Sequence, residues 1–173
     1  MICYCERMTR TESSVSAGIL APANAAKREE ILGLLERAYW MEMETVMSYL
    51  ANAASLDGIR AEEIAEALDA DVDEELGHAR RFAGRIKELY GNPPGSMDFT
   101  AEQANLQPPE DSTDVATVIR GVIEAEAGAI AHYNRIIEAC DGTDWATQDM
   151  VIEILRDEEG HLRQFERYLR EFE

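Results

Sequence analysis

Four stretches of the chain repeat apolar residues at spacings of three and four, the period of a helix with one face turned inward. The first follows Asn24, a side chain suited to an N-cap, and aligns Ile31, Leu34, Leu35, Ala38, Met41, Glu42, Thr45, Tyr49 and Ala53. The run Ser55-Leu-Asp-Gly58 stops it. The second extends from about Arg60 to Tyr90 and carries Ile64, Ala67, Leu68, Asp71, Glu75, His78, Phe82, Ile86 and Leu89 before Gly91-Asn-Pro-Pro-Gly95 breaks it. The third starts near Ser112 or Thr113 and reaches Cys140, with Val118, Ile119, Val122, Ile123, Glu126, Ala129, Ile130, Tyr133 and Ile137 on its inner side. The fourth, with Thr143 as its cap, carries Met150, Val151, Ile154, Leu155, Glu158, His161, Leu162, Phe165 and Leu169 and runs almost to Glu173.

A turn of only a few residues between long helices forces them antiparallel. Residues 91 to about 112 hold four of the five prolines and little periodicity. A helix of ~30 residues is ~45 Å long, and ~20 extended residues reach ~65 Å, so this segment can return along the whole bundle. The pattern therefore predicts an all-α, antiparallel four-helix bundle with one long crossover between helices two and three, running up-down-down-up. Residues 1–23, rich in Ser, Thr, Ala and Gly, read as a flexible leader, and residues 24–173 as the bundle.

Composition narrows the function classes. The chain carries 35 acidic against 16 basic residues, a net charge of −19. Such a field repels phosphate backbones, which Lys and Arg hold, and draws cations, so nucleic acid is not expected as a partner. With no apolar run long enough for a span and no secretory signal at the N-terminus, the expected location is the cytoplasm. Cys3, Cys5 and Cys140 are too few and badly spaced for a disulfide framework or a Cys-x-x-Cys metal appendage.

The chemistry lies in a pattern that occurs twice. Glu42 precedes Tyr49 by seven residues and Glu75-x-x-His78 follows; Glu126 precedes Tyr133 by seven and Glu158-x-x-His161 follows. The spans from Glu42 to Glu75 and from Glu126 to Glu158 differ by one residue. Residues three apart on a helix point to nearly the same side, so Glu75 with His78, and Glu158 with His161, can each grip an ion. Glu42 and Glu126 sit on apolar stripes, where a carboxylate must be paired, neutralised or bound to metal. No Lys or Arg shares those stripes, and two divalent cations would remove the repulsion. Six ligands for two ions leave open coordination positions, as a reactive site needs.

These residues carry a resemblance to a family. The run Asp149-Met-Val-Ile-Glu-Ile-Leu-Arg-Asp-Glu-Glu-Gly-His161 is similar to the last long helix of bacterioferritins, within the ferritin-like di-iron superfamily. Glu42-Met-Glu-Thr-Val-Met-Ser-Tyr49 and Glu126-x-x-Ala-Ile-x-x-Tyr133 resemble the first and third helices. The resemblance implies a di-iron ferroxidase that oxidises Fe(II) with O2 or hydrogen peroxide for iron storage or detoxification, in a homo-oligomeric shell. It implies Glu75 and Glu158 as bridging carboxylates, with Glu42 and His78 on one iron and Glu126 and His161 on the other. Tyr49 would lie beside the site as a donor to a carboxylate or a redox neighbour, with Tyr133 as its counterpart. Leu76 stands where haem-binding relatives place a Met after the metal glutamate, so haem is not expected. The chain stops twelve residues after His161, without room for the fifth helix of the largest shells. A rubrerythrin-like peroxidase or a manganese catalase would use the same six ligands, since manganese accepts them too.

Asp157 and Glu74 each precede a metal-binding glutamate and are candidates to accept the far ring N–H of a histidine from the opposite helix, fixing its tautomer. His132 has Ala129 three residues before it and reads as a surface or interface residue. Trp40 and Trp145 read as packing residues.

Overall fold

The computed structural model describes residues 18–172; Cys3, Cys5, the rest of the first 17 residues and Glu173 lie outside them. Four helices dominate: α1 (Ala25–Ser55), α2 (Ile59–Glu88), α3 (Val115–Cys140) and α4 (Trp145–Leu169). No strand occurs among the described residues, and none of their helices is long and apolar enough to cross a membrane.

The helix ends differ from the sequence reading where a neighbouring side chain does the capping better. Asp114 and Asp144 cap α3 and α4, each accepting from a backbone N–H three residues on, Thr117 and Thr147, at 3.1 Å. An aspartate at this position also complements the positive end of the helix dipole. Thr143 is not the cap; its hydroxyl donates to the Cys140 carbonyl. Asn24 does not cap α1 either, because the 3₁₀ turn Pro22–Asn24 leads straight into the helix and Asn24 Nδ2 donates to the Gly18 carbonyl at 2.7 Å. Residues 18–24 fold back on the bundle, with Ile19 buried and its carbonyl held by Arg28 at 3.0 Å.

Side-chain contacts give the helix directions. Three residues join α1 to α2, with Gly58 at φ +109°, a conformation glycine alone adopts without strain. Tyr49 reaches Glu126 while Tyr133 reaches Glu42, so α1 and α3 run opposite ways. Arg81 bonds Glu153 and Arg85 bonds Asp144, so α2 and α4 do likewise. The result is the up-down-down-up bundle.

The core divides into two apolar halves. One is built around Ile31, Leu35, Phe82, Ile86, Ile136 and Ile154, the other around Ile64, Leu68, Val118, Ile119, Val122 and Phe165. Each such side chain, fully buried, contributes about 1.5–3 kcal/mol over its exposed state. On α3 the expected stripe holds through Val118, Ile119, Val122, Glu126, Ala129 and Tyr133 and departs at its end, where Ile136 is fully buried and Ile137 only half-buried.

The crossover is strapped along α1. Glu44, buried on the side of α1 away from the apolar stripe, accepts from the Glu102 and Gln103 backbone N–H groups at 2.6 and 2.7 Å. Gln103 Nε2 donates to Thr45 at 2.7 Å, and the Asp57 N–H to the Ser112 carbonyl at 2.9 Å. Leu106 is inserted into the core beside Gly121, whose missing side chain makes room: a Cβ there would stand 2.4 Å from the Asn105 carbonyl oxygen. Gly121→Ala is therefore expected to destabilise the protein by about 1–3 kcal/mol. Gly128→Ala, on the same helix with open space around it, should be neutral or stabilising by up to about 1 kcal/mol. Thermal denaturation of the two variants side by side checks this; equal melting temperatures would contradict the strapped crossover.

Candidate metal centre

Between the two apolar halves lies a belt of ionisable groups contributed by all four helices. Glu42 comes from α1, Glu75 and His78 from α2, Glu126 from α3, Glu158 and His161 from α4, and all six are buried. Their donor atoms form two overlapping sets: Glu42, Glu75, His78 and Glu158 in one, Glu75, Glu126, Glu158 and His161 in the other. Within each set the atoms lie within 4.8 Å of one another, and Glu75 and Glu158 belong to both. His78 Nδ1 is 3.1 Å from Glu158 and 3.7 Å from Glu75; His161 Nδ1 is 3.2 Å from Glu75 and 3.4 Å from Glu158.

These donor atoms approach each other without satisfying each other. Glu75 Oε1, both Glu158 oxygens and the Nδ1 atoms of His78 and His161 are buried with no hydrogen-bond partner. Orphaned buried polar groups are rare and costly, and here they gather in two overlapping sets. Two cations would satisfy such an arrangement, and carboxylate oxygen with imidazole nitrogen suits iron or manganese.

The outer ring nitrogens are held by the expected residues, crosswise. His78 Nε2 on α2 lies 3.4 Å from Asp157 on α4, and His161 Nε2 on α4 lies 3.3 Å from Glu74 on α2. With Nε2 protonated toward these carboxylates, Nδ1 is left free to bind metal. Asp71, also on the inner face of α2, sits 4.0 Å from His161 Nε2. The phenols close the belt on the α1–α3 side. Tyr49 donates to Glu126 and Tyr133 donates to Glu42, both rings fully buried. Tyr49 thus touches the carboxylate of the opposite half of the chain, a pairing that spacing alone does not give.

Several expectations for other residues change. His132 is buried, not at the surface: its Nε2 meets the Leu34 carbonyl at 2.8 Å, tying α3 to α1. Trp145 is 65% exposed rather than packed. The burial of Glu44 leaves no signal in the sequence because its partners lie in an aperiodic loop.

The neighbouring charges set how strongly these groups hold protons. Burial, and then Glu158 and Glu75 nearby, push Glu42 well above the usual carboxylate range; burial with Glu75 and Glu158 does the same to Glu126. Burial would lower both histidines, but Glu158 and Glu75 beside them raise His78 to about 10 and His161 to about 12. Burial would raise Glu75, but the two histidines outweigh it and bring it to about 2.

Comparison with known proteins identifies the family. The family model described as a ferritin-like domain matches residues 32–173. A bacterioferritin from Desulfovibrio desulfuricans is 25% identical over 81% of this chain and 74% of its own length. A DNA protection during starvation protein from Pyrococcus furiosus is 29% identical over 82% of this chain and 77% of its own. Among solved structures, the dodecameric thioferritin of Bacteroides fragilis, a bacterioferritin-related protein, superposes with a TM-score of 0.72 at 23% identity, covering 84% of this chain and 87% of that one.

Two outcomes follow from the site. Metal binds neutral imidazole and ionised carboxylate, so groups protonated at neutral pH must release protons on loading. Affinity should therefore fall as pH is lowered from 8 to 6, by up to about tenfold per pH unit for each proton displaced. Co(II) titration calorimetry in buffers of different ionisation enthalpy measures that release; none at pH 7 would contradict the protonation pattern. Asp157→Ala should weaken Co(II) binding about 10–100-fold, while unchanged affinity would assign Asp157 to the solvated surface.

Proposed function

The chain belongs to the ferritin-like domain family, and from that premise we propose that it is a di-iron ferroxidase, taking up Fe(II) at the six-residue belt and oxidising it with O2 or hydrogen peroxide. The observation that carries this reading is the doubled donor set, in which Glu75 and Glu158 face both positions. A pair of ferrous ions sharing two carboxylates can deliver two electrons together to one oxidant. Glu42 and His78 would complete one position, Glu126 and His161 the other.

What the protein contributes is charge, order and dryness. Four buried carboxylates offset the charge of two divalent cations, with the histidines as neutral ligands. Tyr49 and Tyr133 hold the carboxylates of Glu126 and Glu42 by donating to them. Asp157 and Glu74 orient the imidazoles. Phe82 and Phe165, both fully buried, pack against Tyr133 and Tyr49 on the two sides of the belt. Six protein ligands for two ions leave room for the oxidant. The acidic surface, net −19, favours cation approach.

A shell of identical subunits would retain the oxidised product as mineral, and the dodecameric thioferritin relative supports assembly of that kind. Adding Fe(II) in air and following ferric absorbance, then iron retained through gel filtration, tests the function. Rapid oxidation with many irons per particle is expected of storage, and peroxide turnover with little retained iron of detoxification. Glu42→Ala should reduce the rate to that of Fe(II) in buffer; an unimpaired variant would refute the site.

A further inference from the structure

The two halves of the belt are near copies of each other, and one inward position breaks the match. Glu75 on α2 and Glu158 on α4 belong to both donor sets. Counted from either of them, the histidine falls three residues after, an outer carboxylate one before (Glu74, Asp157) and a fully buried phenylalanine seven after (Phe82, Phe165). Four residues before, α2 carries Asp71 where α4 carries Ile154. Ile154 is fully buried in the apolar cluster with Phe82 and Tyr133, on the His78 side. Asp71 holds the corresponding place on the His161 side.

Asp71 is only 9% exposed, and its Oδ2 is buried with no hydrogen-bond partner. Its Oδ1 lies 4.0 Å from His161 Nε2, but Glu74 is nearer to that nitrogen, at 3.3 Å, and accepts its proton. An imidazole with metal on Nδ1 has one N–H to give, so Asp71 is left a carboxylate that no donor neutralises. His78 Nε2 has Asp157 at 3.4 Å and, with Ile154 in the matching place, no second acid of this kind. Packing does not require a charge there, since an aliphatic side chain fills the same position in the other half, and a buried unpaired charge destabilises a fold. What Asp71 adds is one more negative charge beside one of two cation positions. Coulombic attraction weakens with separation, so the position at His161 gains more from it than the position at His78.

Building on the ferroxidase reading, we infer that Asp71 makes the belt two unequal sites. The position at Glu126 and His161 takes its divalent cation first and holds it more tightly, and the position at Glu42 and His78 fills second. Two like charges at close range repel, so any such pair loads in steps; Asp71 decides which position each step fills. It acts through its charge, as a positioning residue and not a ligand. The ion beside His161 is thus the one retained, and the ion beside His78 the one that exchanges.

Crystals grown with one Co(II) per chain, with anomalous diffraction collected at the cobalt edge, test this by the occupancy of the two positions. In the wild type the cobalt beside His161 is expected to exceed that beside His78 by about tenfold or more, the range over which a residue behind a metal ligand changes affinity. Asp71→Asn, which keeps the shape and removes the charge, and Asp71→Ile, which copies the other half, should each bring the ratio to within about threefold of one. Calorimetric titration should still reach two Co(II) per chain in both variants. A residue that merely supported the fold would lower both occupancies together and leave their ratio unchanged. The wild-type ratio needs no variant: equal occupancy, or more cobalt beside His78, overturns the proposal and leaves the ferroxidase reading standing. Variants that keep the wild-type ratio, or that bind no cobalt, overturn it as well. Cobalt at neither position in the wild type would refute the metal belt itself, and this proposal with it.

Discussion

Four glutamates and two histidines buried in one apolar interior impose the constraint on which the rest of the structure depends. Carboxylates removed from water need a proton, a partner or a cation. Protons meet part of this requirement: burial and neighbouring glutamates push Glu42 and Glu126 upward, and both histidines are held above their ordinary range by the glutamates beside them. The solution is incomplete, since Glu75, Glu158, His78 and His161 keep buried atoms with no hydrogen-bond partner. Function and instability share a source here. The groups that would stabilise a packed core poorly are the ones that would bind cations well.

The bundle holds this belt by surrounding it with ordinary packing. Apolar clusters lie on both sides, and Phe82 and Phe165, one in each, press on the two tyrosines. Contacts between α2 and α4 are polar and directional: Arg81 to Glu153, Arg85 to Asp144 and Thr147, and the crossed histidine–carboxylate pairs. The crossover, pinned by Glu44, Gln103 and Asp57, fixes how the α1–α2 pair lies against α3–α4. Six donors from four helices can converge only if both helix pairs keep their register.

Most of the buried belt was legible in the sequence because inward-facing side chains obey helix periodicity. Glu75-x-x-His78 and Glu158-x-x-His161 fall on inward stripes, and the repeat of Glu and Tyr seven apart ties the two halves together. The crossed contacts of Asp157 and Glu74 were legible for the same reason, from their place beside the ligands. Less legible was whatever depends on segments without a period. Nothing local marks Glu44 as buried, since its partners are loop amides 58 and 59 residues away. The need for glycine at 121 arises from the Asn105 carbonyl crossing α3. From the sequence His132 reads as a surface or interface residue, yet a buried histidine needs only one carbonyl to satisfy it, and Leu34 supplies that carbonyl across the α1–α3 interface. Which tyrosine meets which glutamate is equally a property of the antiparallel α1–α3 pairing.

The central claim is that these six side chains hold two cations at once. Crystals loaded with Fe(II) under anaerobic conditions, with diffraction collected on both sides of the iron absorption edge, test it most directly. The account predicts two anomalous peaks inside each bundle, both against Glu75 and Glu158, one beside His78 and the other beside His161. A single peak, or iron bound only at the protein surface, would contradict it.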